Sequence, residues 1–137
     1  MERLVVDSSV LTASFLESDR FHQDSLTYIT GLERGDYRFH LPILVVVEVL
    51  SAVSRQVQRY RLAALARVKE SFREWERTGK IVLYTLDRER MEHSIDIAQR
   101  FRLKGADSVI AALAEELDIP LRTFDSEVLH RFQRASE

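Results

Sequence analysis

There is no cysteine among the 137 residues, which excludes disulfides, zinc–thiolate centres and thiol nucleophiles. That absence fits a reducing cytoplasm. No apolar run approaches the ~20 residues a membrane helix needs, so no membrane association is expected. The opening stretch reads as too short and too acidic for a signal peptide. A basic excess is missing too: 20 Lys and Arg against 22 Asp and Glu give a formal net charge of −2. No global positive field therefore advertises a nucleic-acid partner. Internal repeats, low-complexity segments and linkers are absent. What is present, 45% hydrophobic and 31% charged residues, is ordinary for a globular protein. The length reads as one domain, 1–137, able to bury a real core.

The chain is organised around its first apolar run, Leu4-Val5-Val6, which ends on Asp7-Ser8-Ser9. A short apolar run bounded by polar residues predicts a strand buried on both faces, as in parallel sheets. Asp7 then stands at the carboxyl edge, where such sheets bind ligands. It also suits a helix cap, and Ser8 or Ser9 can cap a helix starting near Val10. Phe21, Ser25, Tyr28, Ile29 and Leu32 mark a helix ended by Gly35. Arg38 to Leu41 predicts a strand closed by Pro42. Ile43, Val46, Val47, Leu50, Val53 and Val57 keep helical spacing, with Pro42 suited to the first turn. Leu62, Leu65, Val68, Phe72 and Trp75 stripe a further helix, stopped by Gly79. Its opposite face of mixed signs reads as a solvated face first and a nucleic-acid patch second.

Ile81 to Tyr84 predicts a third strand. Met91, Ile95, Ala98 and Phe101 stripe a helix, and a compact helix from Asp107 to Ala114 follows. A last short strand, Leu121 to Phe124, ends on Asp125, and Val128, Leu129 and Phe132 close the chain in a helix. Alternating short strands and helices predict a three-layer α/β/α sandwich with a mainly parallel sheet. Right-handed crossovers put every strand's carboxyl end on one edge, Asp7 and Asp125 included.

Four acids stand out. Asp7 and Asp125 end strands, Asp107 opens a helix, and Glu48 interrupts an apolar helix, where a glutamate is costly unless paired or at an exposed edge. Each has an ordinary individual explanation. Gathered in one cleft they would repel and need a cation. Carboxylate ligands without His or Cys suit Mg²⁺ or Mn²⁺, and such an ion can activate a phosphodiester toward water. Setting these four charges aside in a site turns the net −2 into +2 over the remaining chain, so a nucleic-acid substrate stays compatible with the charge.

The ordered set V-V-D-S-S-V-L, V-V-V-E-V-L-S-A-V, G-A-D-S-V-I-A-A-L-A and L-R-T-F-D-S-E-V resembles the PIN-domain ribonucleases, and among them the toxins of VapBC toxin–antitoxin modules. The resemblance spans nearly the whole chain. It implies a PIN-like sandwich of about four or five strands and a Mg²⁺- or Mn²⁺-dependent endoribonuclease. It also implies a homodimer and an antitoxin whose tail blocks the cleft. The family's acidic quartet carries over to Asp7, Glu48, Asp107 and Asp125, as catalytic and metal-holding residues, with Glu127 an alternative to Asp125. Ser9 and Thr123 match its hydroxyl residues, which would orient carboxylates. Arg102 and Lys104, just before Asp107, are candidates for the RNA backbone, or else a solvated helix end.

Two rival classes make different demands on the chain. A phosphoacceptor receiver domain needs a second acid beside the first strand's end and a late lysine. The chain offers no acid nearer Asp7 than Glu2, and its last strand carries Arg122. A non-catalytic PIN-like RNA-binding or scaffold domain is the stronger alternative, and retention of all four acids speaks against it.

Overall fold

A computed structural model describes all residues, Met1–Glu137. The chain runs β1 (Glu2–Val6), α1 (Ser8–Phe15), α2 (His22–Arg34), β2 (Tyr37–Pro42), α3 (Ile43–Gln56), α4 (Arg61–Arg77), β3 (Ile81–Tyr84), α5 (Arg88–Phe101), α6 (Gly105–Leu117), β4 (Leu121–Arg122), α7 (Ser126–Arg131) and β5 (Ala135–Ser136). The five strands form one sheet in the order β3-β2-β1-β4-β5, every neighbouring pair parallel. β1 lies at the centre, and its Leu4, Val5 and Val6 are fully buried, as a strand covered on both faces requires. Helices α1 to α4 pack on one another, with α2 against β2 and α4 against β3; α5 pairs with α6, which covers β1 and β2. The result is the α/β/α sandwich expected, around one cluster of 27 buried hydrophobic residues.

The chain first builds outward from β1 to β2 and β3, then returns to the other side of β1 for β4 and β5. The strand order therefore reverses between β1 and β4. The crevice beyond the carboxyl ends at such a reversal is where open α/β sheets hold ligands.

Several local expectations differ from the structure. Leu62 lies outside the buried stripe of α4 and is exposed, and β4 stops at Arg122, short of Phe124. Helix α1 begins at Ser8, and Asp7 is its cap, not Ser8 or Ser9. The buried stripe of α3 is Val45, Val49 and Val53, while Ile43 and Val47 face outward. A helix apolar nearly all round offers several stripes of equal merit, and only packing selects one. In α5 the buried positions are Ser94 and Ile97, whereas Met91 and Ile95 are exposed. Ser94 can turn inward because its hydroxyl donates to the Arg90 carbonyl at 2.7 Å.

The turn between α3 and α4 holds Tyr60 at φ +56°, in the left-handed region. For a residue with a bulky side chain that conformation costs about 1–2 kcal/mol.

Candidate active site

The four acids come from four separate elements. Asp7 follows β1, Asp125 follows the extended run after β4, Glu48 sits midway along α3, and Asp107 is in the first turn of α6. All four line one cleft of about 590 Å³ at the carboxyl edge of the sheet. Glu127 does not line it. Its side chain pairs with Arg131 at 2.8 Å and Lys104 at 3.9 Å, so the structure places Asp125 in the cleft in its stead. Arg102 and Lys104 also lie outside the cleft lining, on the exposed loop ahead of α6. The Arg102 carbonyl accepts from Arg131 Nη1 at 2.5 Å.

Asp7 is 5% exposed and its hydrogen bonds explain how it is held. Oδ1 accepts from the Ser8 backbone N–H at 2.7 Å, the capping bond of α1. Oδ2 accepts from Thr123 Oγ1 at 2.7 Å and from Ser9 Oγ at 3.0 Å. Those hydroxyls lie 3.3 Å apart, and each ties down the neighbouring backbone: Phe124 N–H donates to Ser9 Oγ and Asp125 N–H to Thr123 Oγ1, both at 3.0 Å. Ser9 and Thr123 thus fasten the end of β1 to the segment carrying Asp125. Asp125 in turn caps α7, with Oδ1 accepting from the Glu127 and Val128 N–H groups at 2.9 and 3.3 Å. Both strand-end aspartates therefore cap a helix and line the cleft at once. A carboxylate fixed by a helix N-terminus still presents its outer face to the cleft.

Burial first, and neighbouring acids second, raise three of the four carboxyls. Burial pushes the Asp7 carboxyl above the usual range, with Asp125 adding to it and bonds from Thr123, Ser9 and Ser8 opposing. Glu48 is raised by burial and by Asp7, against the Ser8 hydroxyl. Asp107 is raised to about 6, by burial first and then by Asp7 and Asp125. Most telling is Glu48 Oε1, the only buried side-chain polar atom in the protein without a hydrogen-bond partner. An orphaned carboxylate oxygen in a polar cleft calls for a cation or water. The donor set is all oxygen, which suits a hard ion such as Mg²⁺ or Mn²⁺. As they stand, no three acidic or histidine side chains close on a common point, so an ion held here would draw part of its shell from water.

The profile of the PIN domain matches residues 4–135. This chain belongs to the PIN domain family. No curated protein matches it by sequence. Solved structures share its fold at low identity. The Mycobacterium tuberculosis toxin VapC20, described as cleaving the sarcin–ricin loop, matches at TM-score 0.72 and 14% identity, covering 98% of this chain and 99% of that one. A toxin–antitoxin complex from Klebsiella pneumoniae matches at TM-score 0.69 and 14% identity, covering 100% and 97%. VapBC2 from Rickettsia felis, bound to a promoter DNA fragment, matches at TM-score 0.67 and 9% identity, covering 98% and 99%. At such identities these structures testify to the fold, and the chemistry must come from this cleft.

Sequence reasoning missed several residues that line it: Asp19, whose Oδ1 accepts from Phe21 N–H at 2.9 Å, Phe21 itself, Ser51 and Arg55. One signal in the sequence does point toward Arg55. Residues 49–69 contain five cations and no acid, leaving −7 on the remainder of the chain.

Proposed function

We propose that this PIN domain, spanning 1–137, is a Mg²⁺- or Mn²⁺-dependent endoribonuclease and the toxin of a toxin–antitoxin pair working in the cytoplasm. The observation that carries the reading is the convergence of four acids from four elements on one cleft, with Glu48 Oε1 buried and unpartnered. Asp7 and Asp107 would hold the ion, and Glu48 and Asp125 would complete its surroundings, partly through water. Such an ion, when bound, polarises a phosphoryl oxygen and lowers the pKa of water near it. The residues supply the rest. Ser9, Thr123 and the Ser8 N–H leave Asp7 one orientation, so no reorganisation is needed when charge develops on the phosphate. Glu48 and Asp107, both held above the usual carboxylate range without a cation, would regain ordinary ionisation once one neutralises the cleft.

Metal titration followed by thermal denaturation tests this directly. Mg²⁺ or Mn²⁺ should raise Tm, the unfolding free energy growing with the logarithm of ion concentration to about 2.7 kcal/mol at a hundred times Kd. Cleavage of single-stranded RNA should depend on the same ion. A scaffold domain would show neither response.

Partner proposals follow from the surface and the relatives. An antitoxin is proposed because neighbours of the same fold are described as toxin–antitoxin complexes. A homodimer is proposed because exposed Ile43 and Leu86 line an apolar pocket of about 400 Å³, and Met91 and Ile95 of α5 are exposed as well. Light scattering at micromolar concentration should report twice the 16.0 kDa of the chain, and a clean monomer would remove the dimer from the proposal.

A further inference from the structure

Arg55 is the sole cation lining a cleft that also contains Asp7, Asp19, Glu48, Asp107 and Asp125. Despite that company it enters none of the protein's ion pairs. It stands seven residues beyond Glu48 on α3, two turns or about 10 Å along the axis, with Ser51 between them on the same wall of the cleft. Along the chain beyond Arg55 the charge stays positive as far as Lys69. The other cations of the acid-free stretch 49–69, Arg59, Arg61, Arg67 and Lys69, are all exposed and equally unpaired.

At the turn after α3 the Tyr60 ring is 79% exposed, with the Arg59 guanidinium 5.7 Å from its centroid. Its backbone at φ +56° is one that Gly or Asn would adopt with less strain. Nothing in the fold uses the ring: it is outside the core and makes no hydrogen bond. An exposed aromatic held in a strained turn, flanked by arginines, supplies the parts of a sequence-tolerant single-strand binder, a π-face for a base and cations for phosphates.

We propose that the segment from Arg55 to Arg61 receives the single-stranded RNA leaving the cleft, with Arg55 and Arg59 on phosphates and a base stacked on Tyr60. The proposal rests on the ribonuclease reading above. It also resolves an electrostatic difficulty of that reading, since five carboxylates repel a polyanion and the adjoining surface must draw it in. An acidic peptide would satisfy the same arginines but gains nothing from an aromatic held in the left-handed region, so RNA is the occupant the turn favours.

The test is binding of a fluorescent 12-nucleotide single-stranded RNA to the full chain in EDTA, where cleavage is not being measured. Tyr60→Asn should weaken binding about tenfold while leaving Tm unchanged or higher, because Asn relieves the strained turn and keeps no ring. Arg55→Ala with Arg59→Ala should weaken binding further and reduce the log–log salt slope by about 1.4, ~0.7 for each phosphate no longer neutralised. Variants that bind RNA as the wild type does would overturn the proposal and leave the nuclease reading standing. Tighter binding of a poly-glutamate peptide than of RNA, abolished in the same variants, would also overturn it, identifying a protein-docking surface. A wild type that neither binds nor, with Mg²⁺, cleaves RNA would overturn the proposal together with the ribonuclease reading.

Discussion

Asp7→Asn should abolish RNA cleavage, raising the barrier by about 3 kcal/mol or more, a loss above a hundredfold. The substitution keeps the side chain's shape, and the amide oxygen still accepts from the Ser8 N–H. The amide nitrogen donates to the Ser9 and Thr123 hydroxyls, which turn to accept, so the fold is kept. It removes one anion from a crowded, buried group. Because burial raises the Asp7 carboxyl in the folded state, its ionised form at neutral pH opposes folding, and the amide should leave Tm equal or higher in EDTA. Asp107→Asn should behave alike, since its carboxyl is raised to about 6 by burial and by Asp7 and Asp125. Activity and stability are thus expected to move in opposite directions, which separates a functional carboxylate from a structural one. Near wild-type cleavage by Asp7→Asn with Mg²⁺ present would sink the assignment.

The second large effect lies away from the cleft. His40 is buried in β2, with Nδ1 2.8 Å from the Tyr84 hydroxyl and Nε2 accepting from Arg3 Nε at 3.3 Å. An imidazole that accepts from an arginine on one nitrogen carries its proton on the other, so the folded protein holds His40 neutral. Burial, with Arg3 and then Arg38 nearby, lowers its pKa from 6.5 to about 4. A depressed folded pKa means the unfolded chain takes up the proton first. The stabilisation is present above pH 6.5 and is lost as the pH falls from there toward 4, by about 2 kcal/mol at pH 5 and about 3 kcal/mol in full.

The cleft works against this trend. Acids raised in the folded state gain protons on folding, so Asp7, Glu48 and Asp107 contribute stability as the pH falls. The His40 contribution is therefore read as a difference. Denaturation of wild type and His40→Gln at pH 7 and pH 5 should show the wild type losing about 2 kcal/mol more than the variant. Parallel curves would mean that His40 is solvated or charged in the folded protein.

Much of this architecture is written locally. Leu4-Val5-Val6 ending on Asp7 marks a buried strand and its terminus, and Leu121 with the acid at 125 marks another. Pro42, Gly35 and Gly79 place helix boundaries through backbone chemistry that needs no neighbours. The strand Ala135–Ser136 carries no such pattern. Two small residues become a strand only because β4 offers an open edge beside them. The outward faces of α3 and α5 are unreadable in the sequence for a related reason. Periodicity states that a helix has an apolar face but, where Val45, Val46 and Val47 follow one another, not which face meets the sheet.

Which residues end strands, open helices and carry charge is legible in the chain alone, because these depend on propensities and spacings within a few residues. That the acids meet is a matter of long-range packing. Asp7 and Asp125 are neighbours because β4 pairs with β1, and parallel neighbours lie about 4.8 Å apart. The Thr123 hydroxyl reaches Asp7 across 116 positions of chain for the same reason. Glu48 and Asp107 join them from helices on opposite faces of the sheet, α3 and α6, whose ends the parallel crossovers bring to one edge. Like charges do not assemble spontaneously. Burial of the surrounding core holds them together, and the raised carboxyls of Asp7, Glu48 and Asp107, lifted by burial first and by neighbouring acids second, record the cost with the unpaired Glu48 oxygen.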